Sequence, residues 1–263
     1  MQKYAALLDM VRSKTPLVHQ ITNYVTVNDC ANVAICIGAS PVMSHAPEEV
    51  KDMVALADAL VLNIGTLDEN QIRGMLEAGK AASEKGIPII LDPVGAGATP
   101  YRTRTAALLM KELRISVIKG NAGEIGTLAG ADALVRGVDS QKLSGDPVET
   151  AKSLALASSC VVVLSGADDI VSDGKRVAVI SNGDPLMGKI SGSGCMASAV
   201  CGAFAAVSNY FEGCVAAMTV FGVAGELAAE KSTGPGSFKP AFLDAVRAIE
   251  SGVVLKRAKI KEY

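Results

Sequence analysis

Polar and apolar positions along this chain switch repeatedly between two periods. Lys3–Lys14 carries apolar residues at helical spacing, and Leu17–Ile21 reads as a short strand before the polar turn Thr22-Asn23. Val25–Ile37 returns to helical spacing and stops at Gly38, and Pro41-Val-Met43 is extended. Pro47 suits the first position of a further helix, with Glu48 and Glu49 at its positive end. The same alternation continues. Strands are expected at Ala59–Asn63, Ile87–Leu91, Ile115–Ile118 and Val161–Leu164. The helices between them are expected at Asp68–Lys85, Tyr101–Leu113, a short segment capped by Asn121, and Asp146–Ser158.

Fully apolar strands separated by helices predict a mostly parallel sheet covered on both faces. After Leu164 the pattern changes. Ile170–Ile180 reads as a hairpin around Asp173-Gly174, adding antiparallel strands at one edge of the sheet. Three helices then close the chain, near Cys195–Val207, Cys214–Glu230 and Lys239–Glu250. The polar, glycine-spaced region Gly130–Gly145 is expected to be a surface loop. No linker or repeat interrupts the pattern, so residues 1–263 are read as one domain, the alternative being a division near residue 145.

Composition narrows the function classes. With 263 residues and 49% apolar, the chain can bury a large core, which excludes disorder for most of it. A net charge of −2 and the absence of Trp leave neither the charge nor the stacking platforms of a nucleic-acid binder. The charged N-terminal segment has no apolar leader pattern. The uncharged stretch Ile190–Phe211 is long enough to span a bilayer but opens with a glycine loop, so it is read as a buried helix and no membrane partner is expected. The six cysteines form no C-x-x-C pair, which predicts reduced thiols in a cytoplasm. Two histidines without ligand spacing argue against zinc.

Ligands of open α/β sheets lie beyond the carboxyl ends of the strands, so the residues that follow each strand are the candidates for chemistry. They are Asn23, Asn63-Ile-Gly-Thr66, Asp92-Pro-Val-Gly-Ala-Gly97, Lys119-Gly-Asn121-Ala-Gly-Glu124 and Ser165-Gly166. This glycine-rich, acid-containing rim suits phosphate and a divalent metal. Asp92 and Glu124 could flank Mg²⁺, which takes one or two carboxylates together with water and phosphate oxygens. Asn121-x-x-Glu124 equally fits a local capping box.

The densest signal is Gly183–Cys195, a Gly/Pro loop running into a small-residue helix, whose N–H groups would form an anion hole. Cys195 falls in the first helical turn, where a thiol pKa drops from about 8.5 and base chemistry becomes possible. Simple packing, as expected for Cys201 and Cys214, is the other reading. There is no G-x-x-x-x-G-K-[ST]. Gly192-x-Gly194-x-x-Ala197 fits the loose dinucleotide fingerprint without a preceding strand and is read as accidental. His19 and His45 each lie near a strand end and suit a ligand or a structural hydrogen bond equally.

Pro16-Leu-Val-His19-Gln-Ile-Thr22-Asn23, Gly38-Ala-Ser-Pro41-Val-Met43, Asn63-Ile-Gly-Thr66-Leu, Ile90–Thr99, Ile118-Lys-Gly-Asn121 and Gly192-Ser-Gly-Cys195 together resemble the hydroxyethylthiazole kinase family. The likeness runs from about residue 16 to Gly234-Pro-Gly-Ser-Phe238, in the family's order and spacing. It implies a ribokinase-like three-layer fold. It also implies transfer of the γ-phosphoryl of ATP, with Mg²⁺, to the primary alcohol of 4-methyl-5-(2-hydroxyethyl)thiazole in thiamine salvage.

By position in those motifs, Met43, Gly192 and Asn23 fall on the thiazole side. Lys119, Ser165, Asn121 and Gly194 fall on the nucleotide side, and Asp92 and Glu124 at the metal and phosphate acids. Cys195 stands where most ribokinase-like enzymes carry an aspartate base. The likeness further implies a homotrimer with the thiazole pocket at subunit contacts. Lys119 replaces the family's usual arginine and loses its bidentate fork. Ser165 replaces a threonine and keeps the hydroxyl.

Two rival readings remain on the sequence. One is an ADP/ATP-dependent NAD(P)H-hydrate dehydratase of the same fold, which is expected to carry aspartate in place of Cys195 and to lack Val18–Asn23. The other is a non-catalytic thiazole or nucleotide sensor.

Overall fold

The computed structural model describes the backbone of residues 1–135 and 145–263, and the side chains of all of these except 131–135. The apolar runs of the sequence become neighbouring strands of one sheet. In chain order these are β1 (Leu17–Ile21), β2 (Ser40–Met43), β3 (Ala59–Asn63), β4 (Ile89–Asp92), β5 (Val117–Asn121), β6 (Val161–Ser165), β7 (Asp169–Ser172), β8 (Val177–Ile180) and β9 (Ile260–Glu262). Across the sheet the order is β2-β1-β3-β4-β5-β6-β7-β8-β9. The first six strands are parallel and the last three antiparallel.

Alternate residues of the central strands feed two cores. Val18, Val61, Ile90, Val117 and Val163 face one layer, formed by α1 (Gln2–Lys14), α2 (Val27–Ile37), α8 (Ser193–Ala205), α9 (Tyr210–Ala229) and α10 (Pro235–Ala248). Leu60, Leu62, Leu91, Ile118 and Val162 face the other, formed by α3 (Val50–Leu56), α4 (Glu69–Lys85), α5 (Pro100–Glu112), α6 (Ala122–Val135) and α7 (Pro147–Ser158). Burial on both faces explains why β3, β4 and β6 read as near-continuous apolar runs rather than alternating. The stretch Ile190–Phe211 lies mostly in α8, which is buried against the sheet. The 20-residue α9 is long and apolar enough to cross a membrane, but 83% of its most apolar window is buried inside the protein.

Several boundaries differ from the sequence expectation. The helix expected from Pro47 begins at Val50, because Ala46–Glu49 forms a turn and the Glu49 carboxylate accepts a 2.6 Å bond from the Ser44 hydroxyl. The expected loop Gly130–Gly145 begins inside α6, which runs to Val135, and residues 136–144 lie outside the described residues. The helix expected from Cys214 begins earlier, at Tyr210, which brings Glu212 into the first turn of α9. The chain closes not with a third helix alone but with α11 (Ser251–Arg257) and β9 as well. β9 pairs Ile260 with Ile180 and turns the expected edge hairpin into an interior part of the sheet. A strand of three residues, two of them charged, carries no alternation that sequence reading could detect. At the other edge, β2 places Pro41 beside Val18.

Candidate active site

The carboxyl ends of β1, β3, β4, β5 and β6 converge with the start of α8. Gly192 begins that helix in a left-handed conformation (φ 87°), where a Cβ would come within 2.6 Å of Thr26 Cγ2. Only glycine makes this turn without strain. The turn is one wall of a cleft of about 640 Å³, lined among others by Lys119, Ser165, Asp169, Gly192 and Gly194. Its size suits a nucleotide-sized ligand. Lys119 is 3% exposed, and its ammonium donates to the Gly194 carbonyl at 3.0 Å, which ties β5 to the first turn of α8. A Cβ on Gly194 would lie 3.2 Å from that ammonium. The Ser165 hydroxyl donates to the Gly120 carbonyl at 3.3 Å.

A second group of polar side chains is buried beside the cleft. Asp92, 2% exposed at the tip of β4, accepts two bonds at the same oxygen, Oδ2: from Asn63 Nδ2 at 2.8 Å and from Ser198 Oγ at 2.7 Å. Burial pushes the Asp92 carboxyl up from 3.8 to about 6, opposed by Lys119 and the Ser198 and Asn63 donors and reinforced by Glu124. Asn23 Nδ2 donates to Asn63 Oδ1 at 2.9 Å and to Cys195 Sγ at 3.3 Å. Asn23 Oδ1 accepts the N–H and hydroxyl of Thr26. Cys195 is half-buried near the start of α8. Cys30, packed below it, is driven to about 12 by burial and by the neighbouring Cys195.

Glu124 does what the capping reading anticipated. Its Oε2 accepts the Asn121 N–H at 2.8 Å, while Asn121 Oδ1 accepts the Glu124 N–H at 3.0 Å. Its Oε1 accepts the Gly95 N–H at 2.8 Å, so the same carboxylate also joins the β4 and β5 loops. Among the described residues no cluster of three or more His, Cys, Asp or Glu side chains could cage a metal. Asp92 and Glu124, two carboxylates at the strand ends near this nucleotide-sized cleft, fit the donor set of Mg²⁺, which draws its remaining ligands from phosphate and water.

The structure therefore brings Lys119, Ser165, Gly192 and Gly194 to the cleft, and joins Asn23, Cys195 and Asp92 in one network. Asn121 and Glu124 stand together at the start of α6. Met43 lies apart, half-buried on edge strand β2 and paired with Gln20. His19 is buried, its Nε2 2.8 Å from the Ser44 carbonyl, and burial lowers its pKa. His45 is exposed and stacks edge-on with Tyr24.

Three contributors carried no role in the sequence reading. Ser198 follows Gly194 by one helical turn, a spacing that aims it at Asp92. Asp169 opens β7 inside the cleft, accepts the Gly166 N–H at 3.1 Å, and is raised to about 6 by burial. Arg102 donates to the carbonyls of Ile64, Val94 and Gly65, clamping the loops after β3 and β4 together.

Comparison with known proteins places this geometry. Residues 8–251 match the model of the hydroxyethylthiazole kinase family. The chain is 66% identical to a hydroxyethylthiazole kinase of Methanocorpusculum labreanum over 263 residues, covering 100% of both chains. It superposes on the structure of a hydroxyethylthiazole kinase protein from Pyrococcus horikoshii with a TM-score of 0.93 and 41% identity, again covering 100% of both. A ribokinase-like superfamily protein from Enterococcus faecalis shares the fold alone, with a TM-score of 0.65 and 14% identity over 94% of this chain and 95% of that one.

Proposed function

The chain belongs to the hydroxyethylthiazole kinase family, and from that premise we propose that it phosphorylates the primary alcohol of 4-methyl-5-(2-hydroxyethyl)thiazole with ATP, as a step of thiamine salvage. The observation that carries this reading is the junction of a nucleotide-sized cleft with a buried acid–amide–thiol network at the start of α8. Phosphoryl transfer depends on positioning and charge neutralisation more than on a strong base.

The triphosphate lies along the Gly192–Gly194 turn, where N–H groups and the helix dipole favour anions. Lys119 supplies a fixed positive charge beside it, and Ser165 a hydroxyl at the same rim. Asp92 and Glu124 are the residues that would hold Mg²⁺, Asp92 through Oδ1, which takes no protein donor among the described residues. That ion supplies charge neutralisation on the phosphates. In the transfer step the alcohol oxygen bonds to the γ-phosphorus as the bond to the bridging oxygen of ADP breaks. The alcohol proton passes to Cys195 Sγ. Gly192 and Met43 are assigned to the thiazole side. Asn23 orients Cys195 there, and Asn121 supports the nucleotide side through the β5 loop.

We further take residues 1–263 as one kinase domain acting in the cytoplasm as a homotrimer, with Met43 on its exposed strand edge contributing to a pocket shared between subunits. The dehydratase reading calls for an aspartate at position 195, where this chain has cysteine.

The deciding experiment is transfer of labelled phosphate from Mg-ATP to the thiazole alcohol, with and without chelator. The expected result is a phosphorylated thiazole that disappears on chelation. Thiazole binding without transfer, under several divalent metals, would overturn the kinase reading. Light scattering that finds an active monomer at assay concentration would overturn the trimer.

A further inference from the structure

The buried amides beside the cleft have only one possible polarity. Asparagine O and N atoms look alike, so their assignment rests on the partners. Here backbone N–H groups, which can only donate, anchor both. Gly65 N donates to Asn63 Oδ1 at 3.0 Å, and Thr26 N donates to Asn23 Oδ1 at 3.1 Å. Asn63 must then point Nδ2 at Asp92. Asn23 must point both N–H bonds of Nδ2 outward, one at Asn63 Oδ1 and one at Cys195 Sγ. Asn23, Asn63, Asp92 and Ser198 are each at most 3% exposed, so water does not compete for these bonds. Gly65 is required for the fit, since a Cβ there would stand 2.8 Å from Asn23 Cβ.

We propose that Asn63 is a positioning residue that, through Asn23, holds the Cys195 sulfur as a hydrogen-bond acceptor and at the same time orients the Asp92 carboxylate. Asn63 touches neither cleft nor sulfur directly. Its oxygen anchors Asn23, whose second N–H faces an electron pair of Sγ, and its nitrogen fixes Asp92 Oδ2. One side chain thereby sets the acceptor-proton side and the phosphate side in a common frame. An N–H facing the sulfur fixes the direction of the electron pair that attacks carbon or takes a proton. The catalytic meaning of Cys195 rests on the kinase reading above; the bond polarity does not.

The test uses the full-length protein and two readouts. One is the rate at which iodoacetamide alkylates Cys195 in the resting protein, measured by peptide mass against half-buried Cys36 as internal reference. The other is kcat and KM in the kinase assay. Asn63→Ala is expected to slow Cys195 alkylation at least about fivefold relative to Cys36. It should also lower kcat about a hundredfold, with KM for ATP within about twofold. Ser198→Ala removes the other Asp92 donor and leaves the amide pair intact. It should lower kcat and leave Cys195 alkylation unchanged.

If Asn63→Ala melts below the assay temperature, Asn63→Ser replaces it, with the same shifts expected. A folded Asn63 variant whose Cys195 alkylation stays at the wild-type rate, or whose kcat does, overturns the proposal. An inactive wild-type protein would overturn the kinase reading instead, and the alkylation comparison would still decide the role of Asn63.

Discussion

The two sides of the candidate active site are built by different means. On the side of β1 and β3, side chains bind one another: Thr26, Asn23, Asn63, Asp92 and Ser198 form a buried chain of bonds. On the side of β5 to β7 the wall is mostly glycine and loop backbone, with Lys119 and Asp169 as the buried charges. The first arrangement fixes a few atoms in place. The second offers N–H groups and space to a ligand that brings its own charge. On the proposed kinase reading, orientation of the reacting atoms falls to the strand-end amides, and binding of the triphosphate to the turn before α8.

Substitutions at the junction should break this division most strongly. Asp92→Asn keeps shape and both donors' acceptor but removes the charge. Turnover should fall about a thousandfold, roughly 4 kcal/mol in barrier, as steady-state kinetics would show. Melting temperature should not fall, because a buried charge has gone. Turnover near wild type would move the essential acid to the other side of the site.

Cys195→Ser comes next. Turnover should drop near the low end of the range of about 10²–10⁴ typical of a lost acid–base group. KM for ATP should hold, since the glycine turn is untouched. Cys195→Asp should restore activity, because Asn23 Nδ2 would donate to the new carboxylate. A destabilised, inactive Cys195→Asp protein would reduce Cys195 to packing.

Glu124→Gln tests whether the capping carboxylate also serves phosphate. A tenfold loss of turnover, roughly 1.4 kcal/mol, is expected along with a lower melting temperature. If only the melting temperature moves, Glu124 is a cap and a loop tie, nothing more.

The smallest catalytic effect belongs to Asp169→Asn, which should leave turnover within about threefold and alter stability instead. The folded-state value near 6 lies above the ordinary 3.8, so this group favours the fold below about pH 3.8. That contribution is lost as pH rises to about 6, and the full penalty persists above it. The rise corresponds to roughly 3 kcal/mol. Asparagine still accepts the Gly166 N–H, so thermal unfolding at about pH 8 should show a gain of up to that order, vanishing near about pH 3. Equal melting temperatures at both pH values would mean that Lys119 already neutralises Asp169.

Much of the fold was legible because fully buried strands leave unbroken apolar runs. Leu17–Ile21 and Ala59–Asn63 appear in the structure with the boundaries read from the sequence. Candidates could be picked out at strand ends and glycine turns, and the structure puts two of them, Lys119 and Gly192, at the cleft and a third, Asp92, in the buried network beside it. Asn63 stood among them with no role attached, since its partners lie 29 and 40 residues away and only the sheet brings them together. Ser198 and Asp169 were hidden for a different reason: each looks like an ordinary residue of a helix or a hairpin until its oxygen is seen facing inward. Met43 shows the opposite limit. Its motif is plain in the sequence, while within one chain it sits on an outer strand away from the network.

The two ends of the sheet carry a consequence for how the protein behaves when crowded. At one margin Pro41 removes a backbone donor from β2; at the other, β9 covers β8 with three residues, two of them Lys261 and Glu262. Prolines and charges at sheet margins are poor templates for a further strand. Newly made copies meeting edge to edge therefore find little to extend, and neither margin invites fibre growth from the native state.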